Sequence, residues 1–129
     1  MILVDSSVWI DYFNGVDNEQ TDRLNEMLGI KPVAAGDLIL TEVLQGFRVG
    51  KDYVTAKSLF EELIIFDLVG KDMAIKSAEN FRTLRKKGIT IRKPVDVIIA
   101  SFCIEKDLPL LFSDRDFTPF VKNLGLISA

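Results

Sequence analysis

Two aspartates directly follow apolar segments of the kind that form buried strands. Asp5 ends ILVD (2–5), and Asp114 comes immediately after LPLLFS (108–113). Short continuous apolar runs are typical of strands buried on both faces of a parallel sheet. Ligand sites of such sheets lie at the carboxyl ends of the strands, so these two carboxylates are candidates for one site. As an alternative, each aspartate can cap the helix that follows it.

Two further acids lie on apolar helix faces. The face of Asp96 continues through Ile99 and Cys103, and Glu42 lies in LILTEVLQGF (38–47). That second segment is apolar on almost every side, so we expect Glu42 to be buried. A helix N-terminus offsets only about 1 kcal/mol, whereas desolvating an ion costs several. Both carboxylates therefore need a cation or a set of hydrogen-bond donors.

Acids gathered at one sheet edge would repel one another. A pair ~4 Å apart costs about 4 kcal/mol at an effective dielectric constant of ~20. A divalent cation would remove this cost and restore full ionisation. All-oxygen ligands favour Mg²⁺ or Mn²⁺ over zinc or copper. A water on such a metal can attack a phosphorus atom, so the acids predict metal-assisted hydrolysis of a phosphate ester.

The composition excludes several other kinds of site. The 129 residues include no histidine and one cysteine, and the formal net charge is −3. Imidazole-based catalysis, an internal disulfide and a multi-cysteine zinc site are therefore excluded. The length predicts one domain over residues 1–129. The absence of a leader and of a run of ~20 apolar residues predicts a cytoplasmic protein with no membrane contact.

Strands and helices alternate along the chain, with helices interposed between the stronger strand segments. This order predicts an α/β fold with a mainly parallel central sheet. Ser6 or Ser7 is expected to cap the first helix, and Asp37 the third. The predicted strands are 2–5, a weak 32–36, 64–69, 108–113 and an edge strand at LISA (126–129). The predicted helices are 6–13, 18–28, 38–47, 51–63, 72–88, 94–106 and a short one within 115–125.

The segments around the four acids resemble those of PIN-domain ribonucleases, most closely the VapC-type toxins of toxin–antitoxin pairs. These segments are ILVDSSVWID with Asp5, LTEVLQG with Glu42, KPVDVIIAS with Asp96 and LLFSDRDF with Asp114. They occur in the family's order and extend over nearly the whole chain. LRKKGITIRKPVD is also similar to the segment that precedes the third acid in this family.

The resemblance implies a three-layer α/β/α fold and a Mg²⁺-dependent endoribonuclease, with Mn²⁺ as a substitute. Asp5, Glu42, Asp96 and Asp114 would be the catalytic acids, and Glu42 would complete the metal shell or orient the attacking water. Asp5, Asp96, Asp114 and the accessory Asp116 would hold metal. Ser6 corresponds to the small hydroxyl residue beside the first acid, where members often have Thr.

The implied partners are an RNA substrate and a cognate antitoxin that inhibits the enzyme. The implied assembly is a homodimer or an antitoxin-bound hetero-oligomer. Phe47 and Phe60 could form a groove for an antitoxin helix. Trp9, Tyr12 and Phe13 could stack on bases, although packing in a core or a dimer is the favoured interpretation.

A basic run leads toward Asp96. It contains Arg82, Arg85, Lys86, Lys87, Arg92 and Lys93, which could guide an RNA backbone to the acids. The alternative is a solvated helix face without a ligand.

Two other functions are compatible with the sequence. An aspartate-based phosphatase or phosphoacceptor also places an aspartate after its first strand, but the phosphatase needs a second acid where this chain has Ser7. A catalytically inactive PIN scaffold that binds RNA or protein is the other alternative. The presence of all four acids argues against it.

Overall fold

Residues 1–129 are described by a computed structural model with a central four-stranded sheet. The strands are β1 Ile2–Val4, β2 Val33–Gly36, β3 Ile64–Phe66 and β4 Leu110–Leu111. Their order is β3-β2-β1-β4, and every neighbouring pair is parallel. The predicted α/β fold with a parallel sheet is confirmed.

Helices connect the strands and pack in two groups. They are α1 Ser6–Phe13, α2 Glu19–Met27, α3 Asp37–Gln45, α4 Gly50–Glu61, α5 Lys71–Lys86, α6 Pro94–Glu105 and α7 Thr118–Leu124, with a 3₁₀ turn at Arg115–Phe117. Helix α1 contacts α2 and α3, and α3 contacts α4, whereas α5 contacts α6 and α7. None of these helices combines the length and the hydrophobicity that crossing a membrane requires.

The sheet is covered on both faces. All four residues of β2 are buried, and successive side chains of a strand point to opposite faces. Helices must therefore lie on both sides, as the three-layer prediction requires. One core cluster of 25 buried residues contains Trp9, Phe102 and Phe117. The Cys103 thiol belongs to this core, and burial raises its pKa to about 12, so it behaves as a small apolar group.

Three strands differ from the sequence prediction because their partners are short. Strand β3 ends at Phe66, which pairs with Gly36, the last residue of β2. Strand β4 contains only two residues because β1 gives way to α1 after Asp5. The predicted edge strand at 126–129 is reduced to a single parallel bridge between Leu110 and Ser128.

The predicted caps of two helices are wrong by one or two positions. Asp5, not Ser6 or Ser7, caps α1, because its side chain accepts a hydrogen bond from the Ser7 amide. Gly36 occupies the cap position of α3. Asp37 is the first helical residue, and its Oδ1 accepts from the amides of Leu38 and Leu68. Asp37 thus ties the start of α3 to the segment that follows β3.

Helix α3 is less buried than its composition suggests. Only Ile39 and Val43 are buried, and Glu42 is half-buried. The sheet and α1 cover one side of α3, while its other apolar side chains lie at the protein surface or partly covered. The expectation that Glu42 is buried all round is therefore wrong.

Of the aromatic residues of α1, Trp9 belongs to the core, and Tyr12 and Phe13 are partly buried against it. Trp9 is fully buried and packs against Phe13 and Phe60, with ring centroids 6.0 and 4.8 Å away. This excludes Trp9 from stacking on a base. Phe60 is 1% exposed, so it is a core residue and does not line an open groove with Phe47.

The junction of β2 and α3 is packed without spare space. A Cβ atom built on Gly36 would lie 2.2 Å from Cδ1 of Leu68, which is fully buried. Only a residue without a side chain fits here while Leu68 keeps its position.

A candidate acidic metal centre

The sheet order brings the two strand-end aspartates together. Strands β1 and β4 are neighbours, with Leu3 opposite Leu110, so Asp5 and Asp114 follow adjacent strands at the same edge. Asp96 is in the first turn of α6, and Asp116 is in the 3₁₀ turn. Carboxylate oxygens of Asp96, Asp114 and Asp116 all lie within 4.8 Å of one another.

Asp5 combines a structural contact with a free oxygen. Its Oδ2 accepts hydrogen bonds from the Ser7 amide, at 3.0 Å, and from the Ser7 hydroxyl, at 2.6 Å. Its Oδ1 is buried and has no hydrogen-bond partner. The sequence left open whether Asp5 caps a helix or belongs to a site. Both roles are compatible with its geometry, because one oxygen caps α1 and the other is available to a ligand.

Ser7 was not predicted as part of the site. Besides binding Asp5, its hydroxyl accepts a hydrogen bond from the Ser113 amide at 3.2 Å. It thus joins the end of β1 to the segment leading from β4 to Asp114. The spacing of two residues from Asp5 is the signal that could have identified it, because an aspartate commonly binds the backbone two residues on.

Ser6 positions Glu42. The buried Ser6 hydroxyl donates a hydrogen bond to Glu42 Oε1 at 3.2 Å, across 36 positions of sequence. Since Ser6 follows Asp5 directly, this bond places the α3 carboxylate beside the end of β1.

Two basic side chains contact the acids. Lys93 Nζ lies 3.3 Å from Asp114 Oδ2, and Arg92 Nη2 lies 3.6 Å from Asp116 Oδ2. Asp114 Oδ1 also accepts from the Asp116 amide at 2.9 Å. Like Asp5, Asp114 therefore caps a helical turn and takes part in the cluster.

Burial and mutual repulsion raise the pKa of three acids. Burial is the largest cause for Asp5, Glu42 and Asp96, and Asp5 adds repulsion to the other two. The pKa of Asp96 rises to about 7. These shifts show that Asp5, Glu42 and Asp96 act on one another although Asp5 and Glu42 are outside the 4.8 Å set. The positive charge of Lys93 offsets part of this effect for Glu42 and Asp96.

Asp114 behaves differently. Burial alone would raise its pKa, but the Asp116 amide, Lys93 and Arg92 outweigh that effect and hold the pKa below its usual value. Asp114 is therefore ionised wherever the protein is folded near neutral pH.

The donor set fits a hard divalent cation. Asp5 Oδ1 and Asp96 Oδ2 are buried oxygens without a hydrogen-bond partner, and Asp116 Oδ2 has only the ion pair with Arg92. Buried polar atoms are normally paired, and anionic oxygens from several chain segments are the ligands that Mg²⁺ and Mn²⁺ prefer. The Cys103 thiol is buried in the core with a raised pKa and the chain has no histidine, so the candidate ligands are oxygens.

Arg92 and Lys93 of the predicted basic run contact the acids, whereas its other four residues lie apart from them. Arg82 and Arg85 line an open apolar hollow between α5 and α6, and Arg85 lies over the ring of Phe81. Lys86 and Lys87 are exposed at the end of α5. None of the four forms an ion pair with the acids.

Comparison with known proteins gives a consistent result. A sequence model of the PIN domain matches residues 2–121. Ribonuclease VapC1 of Methanocaldococcus jannaschii is 30% identical to this chain over 97% of its length, and the match covers 84% of that protein.

Two solved structures share the fold. VapBC2 from Rickettsia felis, bound to a DNA fragment from its promoter, aligns with a TM-score of 0.75 at 20% identity, covering 100% of this chain and 98% of that one. A toxin–antitoxin complex from Klebsiella pneumoniae aligns with a TM-score of 0.74 at 18% identity, covering 99% and 97%.

Proposed function

The chain belongs to the PIN-domain family, and we propose that its acidic centre makes it a metal-dependent endoribonuclease that hydrolyses phosphodiester bonds of RNA. The observation that carries this proposal is the grouping of the Asp96, Asp114 and Asp116 carboxylates within 4.8 Å, together with buried oxygens of Asp5 and Asp96 that have no hydrogen-bond partner. The ribonuclease name of its archaeal relative supports RNA as the substrate.

The acids have separate roles in this proposal. Asp5, Asp96, Asp114 and Asp116 hold the divalent cation. When bound, the cation supplies an activated water and neutralises charge that develops on the scissile phosphate. Glu42, held through Oε1 by Ser6, orients the attacking water opposite the leaving oxygen. By analogy with PIN-domain ribonucleases, we expect the products to carry 5′-phosphate and 3′-hydroxyl ends.

Ser6 and Ser7 are positioning residues. Ser7 fixes the orientation of the Asp5 carboxylate and keeps the segment from Ser113 beside it. Ser6 fixes the orientation of Glu42. Such neighbours preserve the geometry on which catalysis depends, because a displacement of about 1 Å in a site can cost ~100-fold in rate.

Mg²⁺ is the proposed physiological cation, and Mn²⁺ is the proposed substitute. Both accept all-oxygen ligand sets at short distances, and Mg²⁺ keeps several waters when it is bound by a few carboxylates.

The proposed biological role is that of a VapC-type toxin. The structural likeness to a toxin–antitoxin complex supports a cognate antitoxin as the inhibiting partner. We infer that residues 1–129 form one PIN domain, that the protein acts in the cytoplasm, and that it assembles as a homodimer or with its antitoxin.

Aspartate variants test the proposal. Asp5→Asn and Asp96→Asn are expected to remain folded and to lose RNA cleavage in Mg²⁺, because each removes an anionic ligand. Asp67→Asn is the matched control: Asp67 also follows a strand, but it is exposed and outside the acid cluster. Cleavage is measured on labelled RNA, and folding by circular dichroism.

The outcomes separate the alternatives. Unchanged cleavage by both site variants would refute the proposed centre. A wild-type protein that binds RNA but never cleaves it with Mg²⁺ or Mn²⁺ would identify an inactive scaffold. Membership of the PIN family removes the basis for an aspartate-based phosphatase, and phosphorylation trapped on Asp5 would restore it.

A further inference from the structure

Two adjacent basic residues enter the acid cluster from the loop between α5 and α6. Arg92 is 3.6 Å from Asp116, and Lys93 is 3.3 Å from Asp114. Both partners belong to the three acids whose oxygens lie within 4.8 Å of one another. The two basic side chains therefore contact carboxylates that the proposed function assigns to metal binding.

The backbone of Lys93 is held by the start of α6, whereas its charged end is exposed to solvent. Lys93 is the N-cap residue of α6, its carbonyl accepts from the Asp96 amide at 3.1 Å, and Pro94 follows it as the first helical residue. Its side chain is nevertheless 57% exposed, and that of Arg92 is 80% exposed. Either side chain can change partners without breaking the backbone hydrogen bond between Asp96 and Lys93.

Exposed ion pairs of this kind are weak and readily exchanged. A divalent cation with several carboxylate ligands is the stronger partner for Asp114 and Asp116, because its charge is double and its contacts are shorter. Once a metal ion binds those carboxylates, Lys93 and Arg92 lie beside the centre without a counterion. An RNA phosphate is the anion that the reaction brings to this place.

We propose that Lys93 and Arg92 are exchangeable counterions, which neutralise Asp114 and Asp116 before the metal binds and then bind a phosphate of the RNA strand. This inference rests on the proposed function and extends it to residues that no comparison assigns. Arginine suits the second role through two parallel hydrogen bonds to phosphate oxygens, and lysine acts as a point charge.

Lys93→Ala should change two affinities in opposite directions. Without RNA, it removes a competitor for Asp114, so Mn²⁺ binding should tighten about two- to fivefold, the range expected for loss of one exposed pair. With a divalent cation present, it removes a phosphate contact, so binding of single-stranded RNA should weaken. The slope of log K against log salt should then fall by about 0.7.

Lys57→Ala is the matched control. Lys57 is also a half-exposed lysine, with 55% exposure, and it forms an ion pair with Glu61 at 3.8 Å on α4. Losing that pair should leave both affinities unchanged. Lys93→Arg keeps the charge and should restore the wild-type salt slope. Arg92→Ala supplies an independent test should Lys93→Ala unfold.

Mn²⁺ binding is measured by titration calorimetry, and RNA binding by fluorescence anisotropy in Ca²⁺, whose looser geometry slows hydrolysis. Tighter Mn²⁺ binding with weaker RNA binding supports the proposal. If Lys93→Ala and Arg92→Ala match Lys57→Ala in either measurement, counterion exchange is refuted while the nuclease stands. If the wild-type protein binds neither Mn²⁺ nor RNA, the proposed function fails and this inference fails with it.

Discussion

At the residue scale, Asp5 divides its two carboxylate oxygens between the fold and the acidic centre. Oδ2 receives the amide and hydroxyl of Ser7, whereas Oδ1 is buried without a partner. Asparagine has the same shape and keeps one oxygen for the cap. A neutral side chain at this position can therefore preserve helix α1 while it weakens cation binding.

Asp96 is expected to destabilise the protein when no metal is bound. Its folded pKa of about 7 lies above the ordinary value of 3.8. The stability it contributes is complete below pH 4 and is lost as pH rises toward 7, because the unfolded chain ionises first. At pH 8 without metal, Asp96→Asn should therefore raise the free energy of unfolding by roughly 1–3 kcal/mol.

Urea unfolding of the metal-free protein at pH 8 and at pH 4 measures this effect. The gain should shrink at pH 4, where the wild-type carboxyl is protonated in the folded protein. An Asp96→Asn protein less stable than wild type at pH 8 would contradict it, and Asp67→Asn should show little change at either pH.

Metal affinity is expected to depend on pH through the same carboxyl. Asp96 must lose its proton before it can bind a cation, so Mn²⁺ affinity should rise up to about tenfold per pH unit from pH 5 to 7 and level off above. The raised pKa values of Asp5 and Glu42 act in the same direction. Asp114 contributes nothing here, because its pKa is lowered.

Calorimetry in two buffers of different ionisation enthalpy counts the protons released on Mn²⁺ binding. About one proton should be released at pH 6, and fewer at pH 8. Asp96→Asn should bind Mn²⁺ more weakly and with a flatter pH dependence. Affinity that is constant from pH 5 to 8 would be inconsistent with a proton on Asp96.

The residue types in the sequence identified the candidate acids, but they did not identify the residues that position those acids. A carboxylate after an apolar strand or on an apolar helix face is conspicuous in a sequence. Ser7 and Lys93 are ordinary residue types, and their roles arise only because the fold places Ser113 and Asp114 beside them. Such contacts depend on which strands are neighbours, which local patterns do not encode.

At the element scale, the type and order of the helices and strands were predictable, whereas several ends were not. The apolar periodicity of 94–106 and the glycine at Gly88 locate α6 and the end of α5 closely. Strand β4 ends early because its partner β1 is short, so its length depends on a segment more than 100 positions away. The cap of α3 differs from the prediction for a related reason. Asp37 accepts a hydrogen bond from the distant Leu68 amide as well as one from its own helix.

Gly36→Ala is expected to destabilise the junction of β2 and α3. The added methyl group would overlap the side chain of Leu68, which is fully buried and so has little room to move. Overpacking of this kind typically costs about 1–3 kcal/mol. Thermal unfolding should show a lower Tm than wild type.

Gly50→Ala provides the comparison within the same chain. Gly50 begins α4, and a Cβ atom built there meets nothing within 4 Å. This variant should be neutral or slightly stabilising, since alanine has the higher helix propensity. Equal stabilities for the two alanine variants would show that Leu68 can relocate.

At the scale of the whole molecule, charge is distributed unevenly. The net charge is −3, yet the end of α5 and the following loop are rich in exposed lysine and arginine, and this loop leads to the acidic centre. An RNA backbone lying along this surface would be attracted locally despite the overall sign.

Replacing both Arg85 and Lys86 by alanine should weaken binding of single-stranded RNA and lower the salt dependence. Two lost phosphate contacts reduce the slope of log K against log salt by about 1.4. Lys51 and Lys57 on α4 are the control pair, because both are exposed and lie on a helix that contributes no acid to the centre.

Anisotropy titrations over a range of salt concentrations measure both double variants. Equal slopes for the two would assign Arg85 and Lys86 to a solvated helix face. Cleavage of a short RNA at saturating concentration should change little, because neither side chain contacts the acids.

The pairing of β1 with β4 also determines when a newly made molecule of this nuclease can first cleave RNA in the cell that makes it. Asp5 leaves the ribosome more than 100 positions before its neighbouring strand and Asp114. A nascent chain therefore carries no assembled centre while that interval is translated. The ribosome and the messenger that produce the enzyme are exposed to it only after its carboxyl-terminal segment has emerged and docked against the first strand.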